Sequence, residues 1–256
     1  MKDDLLILNT LGRRRLPRLL PVIILGAAAI TLVVISHGSL IFRIGRVEYG
    51  DVVYHRFSRS AGYWLRWLLC LELFWAAVVL RGPFSKRSKC RYTIGMLRVS
   101  ERRIFLLCCL FNVLVYLLIW ASLCCAAVII GKTLNAAGAF GTSPQALYAE
   151  YMLDGYMQQF VPMDNVPVTV SMILFMVSMG LLSARDFAVN MKGKPGALQL
   201  FAVLIFMWTG AAFGAGVHIV GWLVLSAIMF MLAVGSVWFS MMDLSRGTNV
   251  EVDDGE

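Results

Sequence analysis

Charge is what this chain lacks most. Only 15% of its 256 residues are Asp, Glu, Lys or Arg, while 59% are hydrophobic. A soluble domain carries about 25% charge and about 45–50% apolar residues. The deficit excludes a soluble globular protein and leaves a polytopic membrane protein. Acids are the scarcer sign, 15 against 23 basic residues, for a formal net charge of +8. On so apolar a chain that excess reports topology first. No basic face on a soluble fold is visible, so no nucleic-acid partner is expected.

The chemistry-bearing residues are as sparse. There are three histidines. His37, His55 and His218 lie far apart, with no acid or nucleophile at usable spacing. The six cysteines include none in an expected outside loop. Cys70, Cys108, Cys109, Cys124 and Cys125 sit in apolar runs and Cys90 in a basic segment, so no structural disulfide is expected. Adjacent cysteines on a helix point apart, and the two Cys–Cys pairs have no His or carboxylate at turn spacing, so no metal site is expected. H-E-x-x-H and G-x-S-x-G are absent. "AAVIIGKT" ends like a phosphate-binding loop, but Ala126 stands where the first glycine should be. The segment also closes a lipid-length helix instead of following a strand. No catalytic, cofactor or metal residue is assigned, and the chain is not expected to be an enzyme.

What is abundant is long apolar sequence. A bilayer core of about 30 Å needs about 20 apolar residues in a helix. Six runs qualify: 19–40, 63–80, 104–130, 166–182, 197–213 and 219–242. The fourth is the shortest, and the third is long enough to tilt or protrude. "GAGVH" separates the last two and suggests a hairpin. The expected architecture is an all-α bundle of six transmembrane helices. A cytoplasmic amphipathic segment (1–18) precedes the bundle (19–242) and an acidic tail (243–256) follows it.

Lys and Arg fix the orientation. With both termini inside, the inner segments hold seventeen basic residues and the outer ones six, which favours N-in and C-in. Eight of the seventeen fall between Arg81 and Arg103, directly before the third run. Segment 41–62 is basic for an outer loop. It reads as an ordinary loop outvoted by the others, with an interfacial piece as the alternative. "GRRRLPRLL" is not a cleavable signal, since the following run exceeds a signal core of about 7–15 residues. Its basic end is expected against anionic headgroups. In the long loop 132–165, Ser143 and Pro144 open a short amphipathic helix suited to the outer interface.

Glu72 lies near the middle of the second run. A charge there costs about 2.5–3.5 kcal/mol to insert, so it faces protein or water. It reads as a helix lock or as part of a translocation path. Asn112 in the third run is its expected partner, through an interhelical hydrogen bond worth about 0.6–2 kcal/mol. Gly210 and Gly214 permit close helix approach, though the spacing is common in membrane helices.

Residues 91–120, "RYTIGMLRVSERRIFLLCCLFNVLVYLLIW", resemble a permease subunit of the second exporter class of ABC transporters. In that family a short cytoplasmic helix between spans two and three runs through a "VSRRR"-like turn into a long third span. Thr93, Ile94, Met96 and Leu97 match the helix. Arg98 leads into the turn, which Val99, Ser100, Glu101, Arg102 and Arg103 match. The resemblance implies coupling to a separate cytoplasmic ATP-binding subunit, which would hold ATP and magnesium. It also implies pairing with a second permease subunit, identical or sibling. The location it implies is the bacterial cytoplasmic membrane, and the cargo a lipid, peptide or drug-like compound. The alternative is a non-transporting accessory: a sensor, scaffold or assembly factor.

Overall fold

The computed structural model describes residues 45–49, 52–56, 59–80, 100–136, 166–191, 196–213 and 219–247, with scattered positions between 9 and 28. The expected coupling helix at 93–98, the outer helix from 143, the turn at 214–218, His37, His218 and most of the acidic tail lie outside the described residues.

The described positions between 9 and 28 are helical (α1). A two-stranded antiparallel ribbon follows, β1 (Gly45–Tyr49) and β2 (Val52–Arg56), with Val47 opposite Tyr54. It stands where the sequence suggested a loop. Val47 and Tyr49 alternate with Arg46 and Glu48 and pair with Tyr54 and Val52, residue types that suit a short ladder. Helices make up the rest: α2 (Arg59–Leu80), α3 (Glu101–Ala136), α4 (Val166–Met191), α5 (Leu198–Phe213) and α6 (Ile219–Gly247).

Among the described residues, three stretches are long and apolar enough to cross a membrane: Glu101–Ser122, Val166–Asn190 and Leu223–Asp243. Cys70–Leu80 is a shorter apolar piece. At 1.5 Å per residue, α3 is about 54 Å long, well beyond a hydrocarbon core of about 30 Å. Its two faces explain why it belongs in lipid. Leu106, Leu110, Leu114 and Leu118 recur every fourth residue and all stand about half exposed. Cys108, Asn112, Val115, Tyr116 and Ile119 form the buried face. In water such a leucine stripe would drive aggregation, whereas in lipid it is the solvated side.

The core is centred on α4, which packs most extensively on α6 and α3. Leu73, Tyr116, Ile119, Met176, Met179 and Val203 are at or near zero exposure and join α2, α3, α4 and α5. A second cluster, Phe105, Cys108, Ala184 and Phe187 with Val237 and Met241, seals one end of the bundle. That end brings the start of α3 to the finish of α4 and α6, so α3 runs antiparallel to both while α4 and α6 run parallel to each other.

The fourth run is not the shortest helix. It extends to Met191, giving α4 26 residues against 16 in α5. Beyond Leu182, where the apolar run ends, Asp186 and Asn190 are buried. Their side chains are satisfied by the chain entering α5, so the helix continues through them.

Close approach has one clear origin. A Cβ on Gly180 would lie 2.5 Å from the Val113 Cα and 2.7 Å from its nitrogen. Only glycine lets α3 and α4 meet backbone to backbone there.

Candidate functional site

Arg15, Asn112, Ser183, Asp186 and Asn190 place buried polar groups toward the sealed end. Arg15 of α1 is 7% exposed, although the sequence placed its segment among headgroups. Its Nη1 donates to the Asn112 Oδ1 at 3.3 Å and to the Cys108 Sγ at 3.9 Å. Its guanidinium carbon lies 4.5 Å from the centroid of the Phe187 ring. The Asn112 amide in turn donates to the Ser183 hydroxyl at 3.2 Å and to Cys108 at 3.8 Å. One asparagine therefore links α1, α3 and α4. Two independent attractions hold the cation, a hydrogen bond to an amide oxygen and an aromatic face. No carboxylate neutralises it among the described residues, so its charge is spread over dipoles and a ring.

A second polar group lies beside the first. The Asp186 carboxylate accepts from the backbone nitrogens of Leu198 (3.3 Å) and Gln199 (3.0 Å). These are first-turn donors of α5, which have no partner inside their own helix. Asp186 thus acts as an N-terminal cap supplied from another helix, and its negative charge meets the positive end of the α5 dipole. The Asn190 Oδ1 accepts from the Gly196 nitrogen at 2.9 Å. The Gln199 amide donates to the Tyr116 hydroxyl and, at 3.5 Å, to the Met179 carbonyl. These bonds fix where α5 starts and tie it to α3 and α4.

Glu72 is buried, at 4% exposure. Neither of its carboxyl oxygens has a hydrogen-bond partner among the described residues. Asn112, its expected partner, is engaged by Arg15 and Ser183 instead. The carboxyl packs against Gly26 of α1, where any side chain would overlap it. Replacing the acid by a flexible apolar residue of similar length, Glu72→Met, should raise stability by about 1–3 kcal/mol, because an unsatisfied buried group is removed. Apparent melting temperature in detergent checks this. A lower value would mean that the carboxyl has a partner worth more than its desolvation.

Of the residues matched to the coupling helix and its turn, Ser100, Glu101, Arg102 and Arg103 are described, and all four are exposed. The Ser100 carbonyl accepts from the nitrogens of Arg103 (3.0 Å) and Ile104 (3.2 Å), which starts α3. Thr93, Ile94, Met96, Leu97 and Arg98 are not among the described residues.

Sequence reasoning missed Arg15, Ser183, Asp186 and Gln199 as site residues. A small-xxx-small signal at Gly180 and Ala184 was available for the α3–α4 approach. No local signal marks Arg15, which sits in a run of basic residues.

The chemistry here is one of anchoring. A buried arginine, two capping side chains and a tyrosine–glutamine pair set helix positions. No group of three or more His, Cys, Asp or Glu fit for a metal occurs among the described residues. Comparison with protein-family models, with curated proteins and with solved structures finds no match.

Proposed function

We propose that this chain is the permease subunit of an ATP-driven transporter. In this reading it has six spans with both termini in the cytoplasm of a bacterial cell. A cytoplasmic ATP-binding subunit grips residues 93–103, and a second permease subunit completes the translocation path. ATP and magnesium belong to the partner. The cargo class is a lipid, peptide or drug-like compound.

The observation that carries this reading is the start of α3. Glu101 and Arg102 stand exposed at the first turn of a continuous 36-residue helix. Some two to three turns further on, the same helix holds Arg15 and Ser183 through Asn112. A push on the exposed turn is thereby passed to α1 and α4 by a rigid rod. Apolar residues on the connector supply contact, and Arg98, Glu101 and Arg102 supply steering charge.

The test is co-purification of the tagged chain with its ATPase, followed by the double reversal Arg98→Glu with Arg102→Glu. The pair should lower complex recovery and transport-linked ATP hydrolysis at least about tenfold, since reversed steering charges act on association. Recovery of no ATPase, together with unchanged activity of the double variant, would remove the reading.

A non-transporting accessory role is the second reading. The filled centre of the bundle favours it, since Tyr116, Met176 and Met179 leave no exposed surface there. Transport by vesicles containing the chain and its ATPase separates the two.

A further inference from the structure

The second half of α4, together with α5 and α6, encloses a lateral groove of about 580 Å³. Its walls are apolar over most of their length, with Phe201, Ile205, Leu232 and Phe239 facing the opening. Arg185 and Asp243 line the same groove, at the end made by the last turns of α4 and α6. From Asp243 to Met229, where the groove runs out, α6 rises about 21 Å. That is somewhat more than one leaflet of a hydrocarbon core about 30 Å thick. Polar groups at one end and a leaflet-deep apolar slot behind them reproduce the polarity order of a phospholipid. The serines along the slot do not interrupt it. Ser236 donates to the Ala233 carbonyl (2.8 Å) and Ser240 to the Ser236 carbonyl (2.9 Å), so both hydroxyls are satisfied by their own helix.

Charge selects the headgroup. Asp186 reaches Arg185 at 3.4 Å, but its carboxylate also serves the α5 nitrogens. The Arg185 side chain stays 31% exposed and can accept a further anion. Asp243 is exposed and has no ion-pair partner among the described residues. A cation and an anion at one mouth complement a headgroup that itself carries a phosphate and an ammonium. A purely acidic lipid would satisfy Arg185 and be repelled by Asp243. A choline headgroup has no N–H to give.

We propose that this groove binds one aminophospholipid, phosphatidylethanolamine in chemical class. Its phosphate lies on Arg185, its ammonium on Asp243, and one acyl chain runs along α6 past Gly235. The site requires α4 and α6 to cross the bilayer and is independent of any ATPase partner.

Gly235 makes the test clean. A Cβ there meets no atom within 4 Å, so a side chain at this position starts into open space, and Gly235→Phe is placed to fill the slot. The full-length chain is reconstituted with equal phosphatidylethanolamine, phosphatidylglycerol and phosphatidylcholine. It is then re-extracted in detergent, and its retained lipid is read by native mass spectrometry. About one phosphatidylethanolamine per chain is expected on the wild type. Gly235→Phe should reduce retained lipid about tenfold. Arg185→Gln should reduce it about fivefold, the scale of one basic residue at a lipid surface. Asp243→Asn should abolish the preference for phosphatidylethanolamine over phosphatidylglycerol. If Gly235→Phe elutes as aggregate, Leu232→Trp on the exposed wall serves instead. Retention unchanged by the blocking variant, or a preference unchanged in Asp243→Asn, overturns the proposal. So does a dimer that the blocking variant converts to monomer, since a second copy would then occupy the groove.

Discussion

Arg15→Ala should destabilise the bundle by about 3 kcal/mol, although it lies in a segment that reads as a cytoplasmic tail. The loss combines two effects. The Asn112 Oδ1 is left buried without its donor, at about 1–3 kcal/mol, and a desolvated cation–π contact with Phe187 worth up to about 2 kcal/mol disappears. Arg15→Lys should recover only part of it. An ammonium is a compact point charge and cannot lie flat on a ring while forking to an amide oxygen. Arg13, two residues away, is exposed, so Arg13→Ala should stay within about 0.5 kcal/mol of wild type. The readout is the fraction of monodisperse protein left after graded heating in detergent. Equal behaviour of the Arg13 and Arg15 variants would refute the buried anchor and return this arginine to the headgroups.

Gly180→Ala should cost about 3 kcal/mol, the upper part of the range for overpacking a well-packed interior. The added methyl would meet the Val113 backbone at 2.5–2.7 Å, and backbone cannot rotate away. Val113→Ala should therefore fail to rescue it, because the obstructing Cα and nitrogen remain. A rescue would show that α3 and α4 touch through side chains only. Gly235→Ala is the matching control, since no atom lies within 4 Å of its added carbon. It should leave stability near the wild-type value. Cross-linking between α3 and α4 offers an independent readout, with weaker yields expected for Gly180→Ala.

Local composition was enough to find α3 and α6, since both are long apolar runs with few charges. It also showed that Glu72 faces protein or water, because a mid-helix acid is costly in lipid. It could not show what Glu72 touches. The neighbour is Gly26, whose role is to be small, and smallness at one position leaves no periodic trace. The end of α4 was misjudged for a related reason. Asp186 and Asn190 look like a helix running out into water until the first turn of α5 is folded against them. Arg15 is the extreme case. Next to Arg13 and Arg14 it looks like any topogenic charge, and its partner Asn112 lies 97 residues away. Hydrophobic patterning records what each helix avoids, while polar pairing between helices is written at long range.

That long range has a bearing on how the molecule is made. The ring that covers the Arg15 guanidinium is synthesised roughly 170 residues later, at Phe187. At about 5–20 residues per second, the interval is on the order of 10–30 s. Throughout that time the nascent first helix cannot adopt its final seat and must keep its cation hydrated or among headgroups. Completion of α4 then draws it inward, so the beginning of the chain is among the last parts to settle.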